Sequence, residues 1–211
     1  MMKIQQSLKT LLVGTMTFVS LLCSPVYAAS STESNTVLIS SDLGKIKGVV
    51  HQQVAAFYGV PYAKNPFVEG RRFQAPQPIQ SWNGTFDATI HRDPVPQPGR
   101  TAATALVGSP GDLTVNIWAP ASAVAHGAKQ LPVMVWIPGG AFIREDASEA
   151  VYNGQSFASN GIIVVTMNYR VGVDGFMHLK GAPDNRGILD QILALQWVKN
   201  NIAAFGGIRS K

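Results

Sequence analysis

The sequence predicts an α/β fold built on an open sheet. Residues 131–137 and 162–167 are nearly continuous runs of apolar residues rich in Val and Ile, a pattern typical of parallel strands covered on both faces. Residues 147–160 between them are long enough for a crossover that contains some helix. Residues 188–204 then show helical periodicity, so strand, crossover, strand and helix follow in order. The 20 glycines and 13 prolines argue against a helical bundle.

Short strands are predicted earlier in the chain, over residues 37–39, 45–50, 54–60 and 113–118. The last of them alternates apolar and polar residues, as a half-buried strand does. Residues 61–101 are rich in Pro, Gln and Gly and are predicted to form an irregular surface loop. The expected order is therefore antiparallel strands first, then parallel strands with crossover helices.

The helix over residues 188–204 is predicted to bury one apolar face. Its apolar residues recur at spacings of three or four: Ile188, Ile192, Leu195, Val198 and Ile202. Gly206 and Gly207 follow and can adopt the left-handed conformation that ends a helix.

Residues 1–28 have the order of a secretory signal peptide. Lys3 and Lys9 supply the positive region, residues 11–23 are apolar, and Ala28 is the small residue at the cleavage position. The apolar run is shorter than the roughly 20 residues that a membrane span needs. We therefore predict cleavage after Ala28 and a secreted or periplasmic protein.

Residues 29–35 are small and polar and are predicted to be a flexible lead-in. The single cysteine, Cys23, is lost with the signal peptide, which excludes thiol catalysis and zinc–thiolate sites in the mature chain. The four histidines have no metal-like spacing, so we expect neither metal nor cofactor. The net charge of +5 is small and scattered and predicts no binding of nucleic acid or, after signal removal, of membrane.

The sharpest local motif is Trp-Ile-Pro-Gly-Gly-Ala-Phe, residues 136–142, directly after an apolar strand. Small residues in succession allow a tight turn that leaves backbone N–H groups pointing outward, which suits an anion such as the oxyanion of acyl transfer. Considered alone, the glycine pair favours a simple turn, because many strands end in Gly-Gly only to reverse direction.

The chain resembles the type-B carboxylesterase family, which includes cholinesterases and bacterial para-nitrobenzyl esterases. The resemblance is carried, in the family's order, by the motifs at residues 57–63 (FYGVPYA), 72–76 (RFQAP), 113–120 (LTVNIWAP), 136–142, 168–172 (NYRVG), 187–191 (GILDQ), 194–198 (ALQWV) and 201–207 (NIAAFGG). We assign residues 36–207 to a partial domain of this family.

The resemblance implies an α/β-hydrolase fold and a serine esterase that acts on small carboxylic esters through an acyl-enzyme. By position, Gly140 and Ala141 would be the oxyanion-hole N–H donors, and Gly139 would allow close approach of the substrate. The resemblance also implies that Arg170 pairs with Asp190. The usual ion partner of Arg72 is replaced by Pro110, so the partner of Arg72 is left open.

The sequence contains no Gly-x-Ser-x-Gly elbow after a strand, and residues 208–211 diverge from the family. Residues 154–158 approximate the elbow around Ser156, but they precede a strand, whereas an elbow serine follows one. We therefore expect the N-terminal part of the fold, truncated before the nucleophile elbow, without nucleophile, acidic partner or catalytic His, and inactive alone. The strand over residues 131–137 would then be an open edge.

Two alternatives remain open at this point. The chain could be a non-catalytic secreted binding protein with an esterase-like fold. It could also be one half of an esterase whose other half is encoded separately.

Overall fold

The computed structural model describes residues 35–101, 105–126 and 130–208. The predicted signal peptide, almost all of the lead-in and most of the divergent tail lie outside the described residues.

Nine strands and four α-helices occur in the described residues. The strands are β1 (Thr36–Ser41), β2 (Gly44–His51), β3 (Val54–Ala63), β4 (Thr85–Asp87), β5 (Gln97–Pro98), β6 (Leu106–Val107), β7 (Leu113–Pro120), β8 (Val133–Trp136) and β9 (Ile163–Met167). The helices are α1 (Ala121–His126), α2 (Gln155–Ser159), α3 (Gly172–Phe176) and α4 (Arg186–Asn201), with 3-10 turns at Ala150–Tyr152 and Ile202–Phe205.

One mixed sheet has the strand order β1-β2-β3-β7-β9-β8, and β4 pairs with β2 beside this path. The pairs along β1, β2, β3, β7 and β9 are antiparallel, whereas β9 and β8 are parallel. The predicted order of antiparallel and then parallel strands is confirmed. The prediction of a loop over residues 61–101 is wrong in part, because β3 extends through Ala63 and both β4 and β5 lie in this stretch.

Alternate residues of the central strands face two separate apolar clusters. Phe57, Ile117 and Val165 belong to the larger cluster, to which α4 contributes, and Trp118 and Val164 belong to a smaller cluster that includes a residue of α2. Because neighbouring strand residues point to opposite faces, the two clusters lie on opposite sides of the sheet.

Strand β7 is buried on both faces, so the prediction of a half-buried strand is wrong. Its polar positions face a hydrogen-bonded interior rather than solvent. The Asn116 side-chain amide donates to the Ala147 carbonyl and to Thr166 Oγ1, and the Asn168 side-chain oxygen accepts from the Thr114 N–H. A polar residue that finds partners inside the protein produces the same alternation as one that faces water.

Strand β8 pairs with β9 on one side only. On its other side, within the described residues, the backbone bonds join Leu131 to the chain after α4: Leu131 accepts from the Ile208 N–H and donates to the Gly206 carbonyl. Trp136 is 45% exposed, so the expectation of a strand covered on both faces is wrong, whereas the expectation of an open edge agrees with the described residues.

Helix α4 buries the predicted face only in part: Val198 and, just after the helix, Ile202 are buried as predicted. Its buried residues are Arg186, Gly187, Asp190, Ala194, Trp197, Val198 and Asn201, whereas Ile192 is 47% and Leu195 43% exposed. Gly187 allows a close approach, since a Cβ there would lie 2.3 Å from the Arg170 carbonyl oxygen. The hydrogen bonds of the polar residues and the close approach at Gly187 determine which face of the helix is buried. The spacing of apolar residues in the sequence predicts neither of them.

The ion pair implied for Arg170 and Asp190 is present and fully buried, with both side chains at most 1% exposed. The contact is bidentate: Nε donates to one carboxylate oxygen at 2.9 Å and Nη2 to the other at 2.8 Å. Asp190 also accepts from the Arg170 backbone N–H. The pair therefore joins the segment after β9 directly to α4.

We predict that Asp190→Ala lowers the free energy of unfolding by about 3–5 kcal/mol, because it leaves the Arg170 charge buried and unpaired. Chemical denaturation of the 211-residue chain measures this loss. Asp184→Ala is the matched control, because Asp184 makes an exposed 2.8 Å contact with His178 and its loss should cost within about 0.5 kcal/mol. Equal losses in the two variants would contradict the prediction.

Candidate functional site

The candidate site is the loop of residues 138–142, which follows β8 at its carboxyl end. Its backbone conformation is unusual at three successive residues: φ is +150° at Gly140, +54° at Ala141 and +60° at Phe142. Only glycine fits at residue 140, since a Cβ there would lie 1.9 Å from the Arg144 carbonyl oxygen. Ala141 and Phe142 hold the left-handed conformation at a cost of about 1–2 kcal/mol each.

Three carbonyl oxygens fix the path of this loop. The Tyr169 hydroxyl donates to the Pro138 carbonyl at 2.6 Å, and the Gly172 N–H donates to the Phe142 carbonyl at 2.7 Å. The Gly140 carbonyl accepts from the N–H groups of Ile143 and Arg144, at 3.1 and 3.2 Å. These bonds compensate for the backbone strain and leave the loop one conformation.

The engaged carbonyls also determine where the free N–H groups point. The peptide between Gly140 and Ala141 is planar and trans, so the Ala141 N–H points away from the side on which the Gly140 carbonyl is bonded. Among the described residues, neither the Gly140 nor the Ala141 N–H has a hydrogen-bond acceptor. Successive free N–H groups of this kind form an anion-binding concavity, and such a group can stabilise a developing oxyanion.

A cavity of about 510 Å³ opens beside Gly139 and Gly140. Its wall is both polar and apolar, and the polar part includes Arg144 and an ion pair between Arg100 and Glu149. A molecule whose carbonyl oxygen reached the loop would therefore have room for a further group beside it.

Glu145, three residues after the loop, is the most unusual ionisable group near it. It is 2% exposed, and neither carboxylate oxygen accepts a well-formed hydrogen bond from the described residues. Burial raises the pKa of Glu145 well above its usual value, although backbone N–H groups of Tyr169, Val95 and Ala147 lie near enough to offset part of the effect. The Gln97 side chain holds the Glu145 backbone through two hydrogen bonds, of 2.6 and 2.7 Å.

The other candidate residues do not join this site. Ser156 lies in α2, before β9, and its backbone carbonyl accepts from Ser159 and Asn160. His178 pairs with Asp184 at the surface. His91 is exposed, but it stacks on Tyr58 with ring centroids 3.8 Å apart. Within the described ranges, no group of acidic, histidine or cysteine side chains is arranged to hold a metal ion.

Sequence reasoning missed the residues that support the loop. Tyr169 and Gly172 lie in the NYRVG motif, which identified the family resemblance but predicted no contact with the loop. Arg72, whose partner was left open, pairs with Asp174 at 3.0 Å. None of these contacts has a signal in the sequence, because the partners are 30 to 102 residues apart or belong to unrelated patterns.

The antiparallel strands, the parallel pair β9–β8 and the loop at the carboxyl end of β8 define part of an α/β-hydrolase-type fold. Solved structures agree. A para-nitrobenzyl esterase superimposes with a TM-score of 0.71 at 42% identity, covering 81% of this chain and 35% of its own. A carboxylesterase of Geobacillus stearothermophilus gives a TM-score of 0.71 at 41% identity, with 81% and 36% covered.

The chain belongs to the carboxylesterase family, whose family model matches residues 33–210. It is 42% identical over 179 residues to the para-nitrobenzyl esterase of Bacillus subtilis, covering 81% of this chain and 36% of that protein. It is also 37% identical over 207 residues to an acetylcholinesterase of Bungarus fasciatus, covering 89% of this chain and 33% of that protein. The chain thus spans about a third of the length of these relatives.

We predict that Glu145→Gln reduces the loss of stability that accompanies rising pH. Because the pKa of Glu145 is raised in the folded state, its contribution to stability is complete below the unfolded pKa of about 4.3 and is lost as the pH rises through the folded pKa. The free energy of unfolding, measured by urea denaturation between pH 4 and 9, should therefore fall less steeply in the variant.

Glu69→Gln is the control for this measurement, because Glu69 is an exposed glutamate in a turn. It should keep the pH dependence of the unsubstituted chain. If the Glu145 and Glu69 variants followed the same curve, Glu145 would not be the group that titrates.

Proposed function

We propose that this chain is the oxyanion-binding part of a carboxylic ester hydrolase. The observation that carries the proposal is the pair of unpaired N–H groups at Gly140 and Ala141, in a loop held by three bonded carbonyls. Family membership supports the same chemistry. The substrate class is a small-molecule carboxylic ester, and nothing in the charge pattern favours nucleic acid or membrane as a partner.

The chemistry requires these N–H groups when an ester carbonyl becomes tetrahedral. Negative charge then develops on the carbonyl oxygen, and the two donors stabilise it without moving, because the loop is already in place. Gly139 has no side chain, and a Cβ built there meets no atom within 4 Å, so the approach to the donors is open.

In our proposal, these 211 residues do not provide the nucleophile, its general base or the acidic partner of that base. The sequence has no Gly-x-Ser-x-Gly motif after a strand, and Ser156 lies in a helix that precedes one. We expect the 211-residue polypeptide alone to hydrolyse no ester by the family's mechanism. The complete reaction would need the other parts of an α/β-hydrolase domain.

A chimaeric enzyme tests the proposal directly. Residues 35–207 are joined to the part of the Bacillus subtilis para-nitrobenzyl esterase that follows its matched segment, and hydrolysis of p-nitrophenyl acetate is measured. We predict saturable turnover by the chimaera, and neither turnover nor labelling by a serine-directed phosphonate for the 211-residue chain alone. Turnover by the 211-residue chain alone would contradict the proposal that this chain does not provide the nucleophile.

The donor role of Ala141 is tested in the same chimaera. Incorporation of lactic acid at residue 141 replaces only the N–H by oxygen and keeps the methyl side chain. Loss of one oxyanion donor should lower kcat by about 10²–10³-fold. Alanine incorporated by the same suppression method is the control. An undiminished kcat in the lactate variant would show that residue 141 donates no bond in the transition state.

We also propose that the chain is exported and cleaved after Ala28, on the basis of the charge and apolar pattern of residues 1–28. No helix in the described part of the chain is long and apolar enough to span a membrane. Expression in a bacterium with a secretory pathway should give a mature N-terminus at Ala29, which mass spectrometry detects. Replacing Ala28 by a bulky residue should leave the precursor uncut, and an intact N-terminus in the unsubstituted protein would refute the proposal.

A further inference from the structure

We propose that Arg186 is a positioning residue for the oxyanion loop and that it acts through helix α3. This inference deepens the proposed function and depends on it, because it assigns to Arg186 the support of the loop that would stabilise the oxyanion. Arg186 touches no residue of the loop in the contacts described, so it is not a catalytic residue.

The Arg186 side chain lies at the first position of α4 and is fully buried. Its guanidinium group makes four hydrogen bonds, and every acceptor is a backbone carbonyl. Nε donates to Asp174 at 2.8 Å and Nη1 to Pro183 at 2.7 Å. Nη2 donates to Val173 at 3.1 Å and to Met177 at 2.8 Å.

Three of these acceptors belong to α3 or to the residue that ends it. Arg186 therefore holds the carboxyl end of a five-residue helix that has little stability of its own. The planar fork of the guanidinium can reach several carbonyls in fixed directions, which a lysine ammonium cannot do. The guanidinium also lies over the Phe73 ring, 5.4 Å from its centroid. Its hydrogen bonds all go to carbonyl oxygens, and they satisfy groups that the end of α3 would leave unpaired.

Helix α3 in turn contacts the oxyanion loop at two points. The N–H of Gly172, its first residue, donates to the Phe142 carbonyl at 2.7 Å. The ring of Phe176, its last residue, lies 4.7 Å from the ring of Phe142. The position of α3 therefore determines the position of Phe142, which holds a left-handed conformation next to the Ala141 donor.

A surface contact on the same helix provides a natural comparison. Arg72 pairs with the Asp174 carboxylate at 3.0 Å, and the Arg72 side chain is 57% exposed. A pair whose arginine is mostly in solvent contributes little to stability. Both arginines thus contact α3, but only Arg186 binds its backbone from the interior.

Hydrogen exchange followed by NMR on the ¹⁵N-labelled 211-residue chain tests the inference. The reporters are the N–H groups of Ile143, Arg144 and Gly172, whose acceptors are loop carbonyls. Arg186→Met should accelerate their exchange by about tenfold or more, because it removes three charge-assisted bonds from α3 and the residue that ends it. The N–H of Val165 in β9, the internal control, should change less than about twofold.

Arg72→Met is the matched control and should leave the three reporters and Val165 unchanged. The cross-peaks of Gly140 and Ala141 should move in Arg186→Met and stay in place in Arg72→Met. If Arg186→Met accelerated Val165 as strongly as the loop reporters, Arg186 would be a general stability residue, and the inference would fail. Unchanged loop reporters would also overturn it.

If Arg186→Met does not fold, Arg186→Lys tests the positioning role of Arg186 instead. Lysine keeps the charge but not the fork, so the loop reporters should still exchange faster than in the unsubstituted chain while Val165 does not. Full protection in the lysine variant would overturn the inference. None of these measurements involves ester turnover, so an inactive chimaera would refute the proposed function and leave this result standing.

Discussion

The buried ion pair between Arg170 and Asp190 is the constraint on which the rest of the site depends. Each charge would be costly to bury alone, so the two must meet, and the bidentate contact allows them one geometry. This contact sets α4 against the segment that follows β9. The same segment contains Tyr169 and Gly172, which bind carbonyls of the loop at residues 138–142. One stretch of five residues, 168–172, therefore contributes both to the stability of the fold and to the geometry of the site.

The backbone strain of the loop lies next to the N–H groups that the proposed chemistry would use. Ala141 and Phe142 stay in a region that side chains avoid, and the bonds to Pro138, Gly140 and Phe142 supply a compensation of similar size, about 0.5–1.5 kcal/mol each. The result is a pair of N–H groups that point outward before any ligand arrives. Preorganisation of this kind is what makes an oxyanion site effective, because no reorganisation accompanies the reaction.

Sequence patterns predicted the elements well where one physical signal dominated. The Val-rich run of β9 is buried on both faces, and Gly206 ends the last 3-10 turn with φ of +88°. Prediction failed where polar residues are satisfied inside the protein. Asn116 made β7 look half-exposed, and the buried Asp190 shifted α4 away from its apolar stripe, leaving Ile192 in solvent. Hydropathy cannot distinguish a hydrogen-bonded interior from water.

The sequence by itself determined the family, the order of the longer strands and of the last helix, and the glycine-rich loop, because these depend on local residue types and their spacing. Only the tertiary structure decided which groups support that loop. The contact of Tyr169 with Pro138, the pairing of Arg72 with Asp174 and the four carbonyls around Arg186 all join residues by their position in space. Such contacts depend on how the elements pack, and packing is a property of the whole chain.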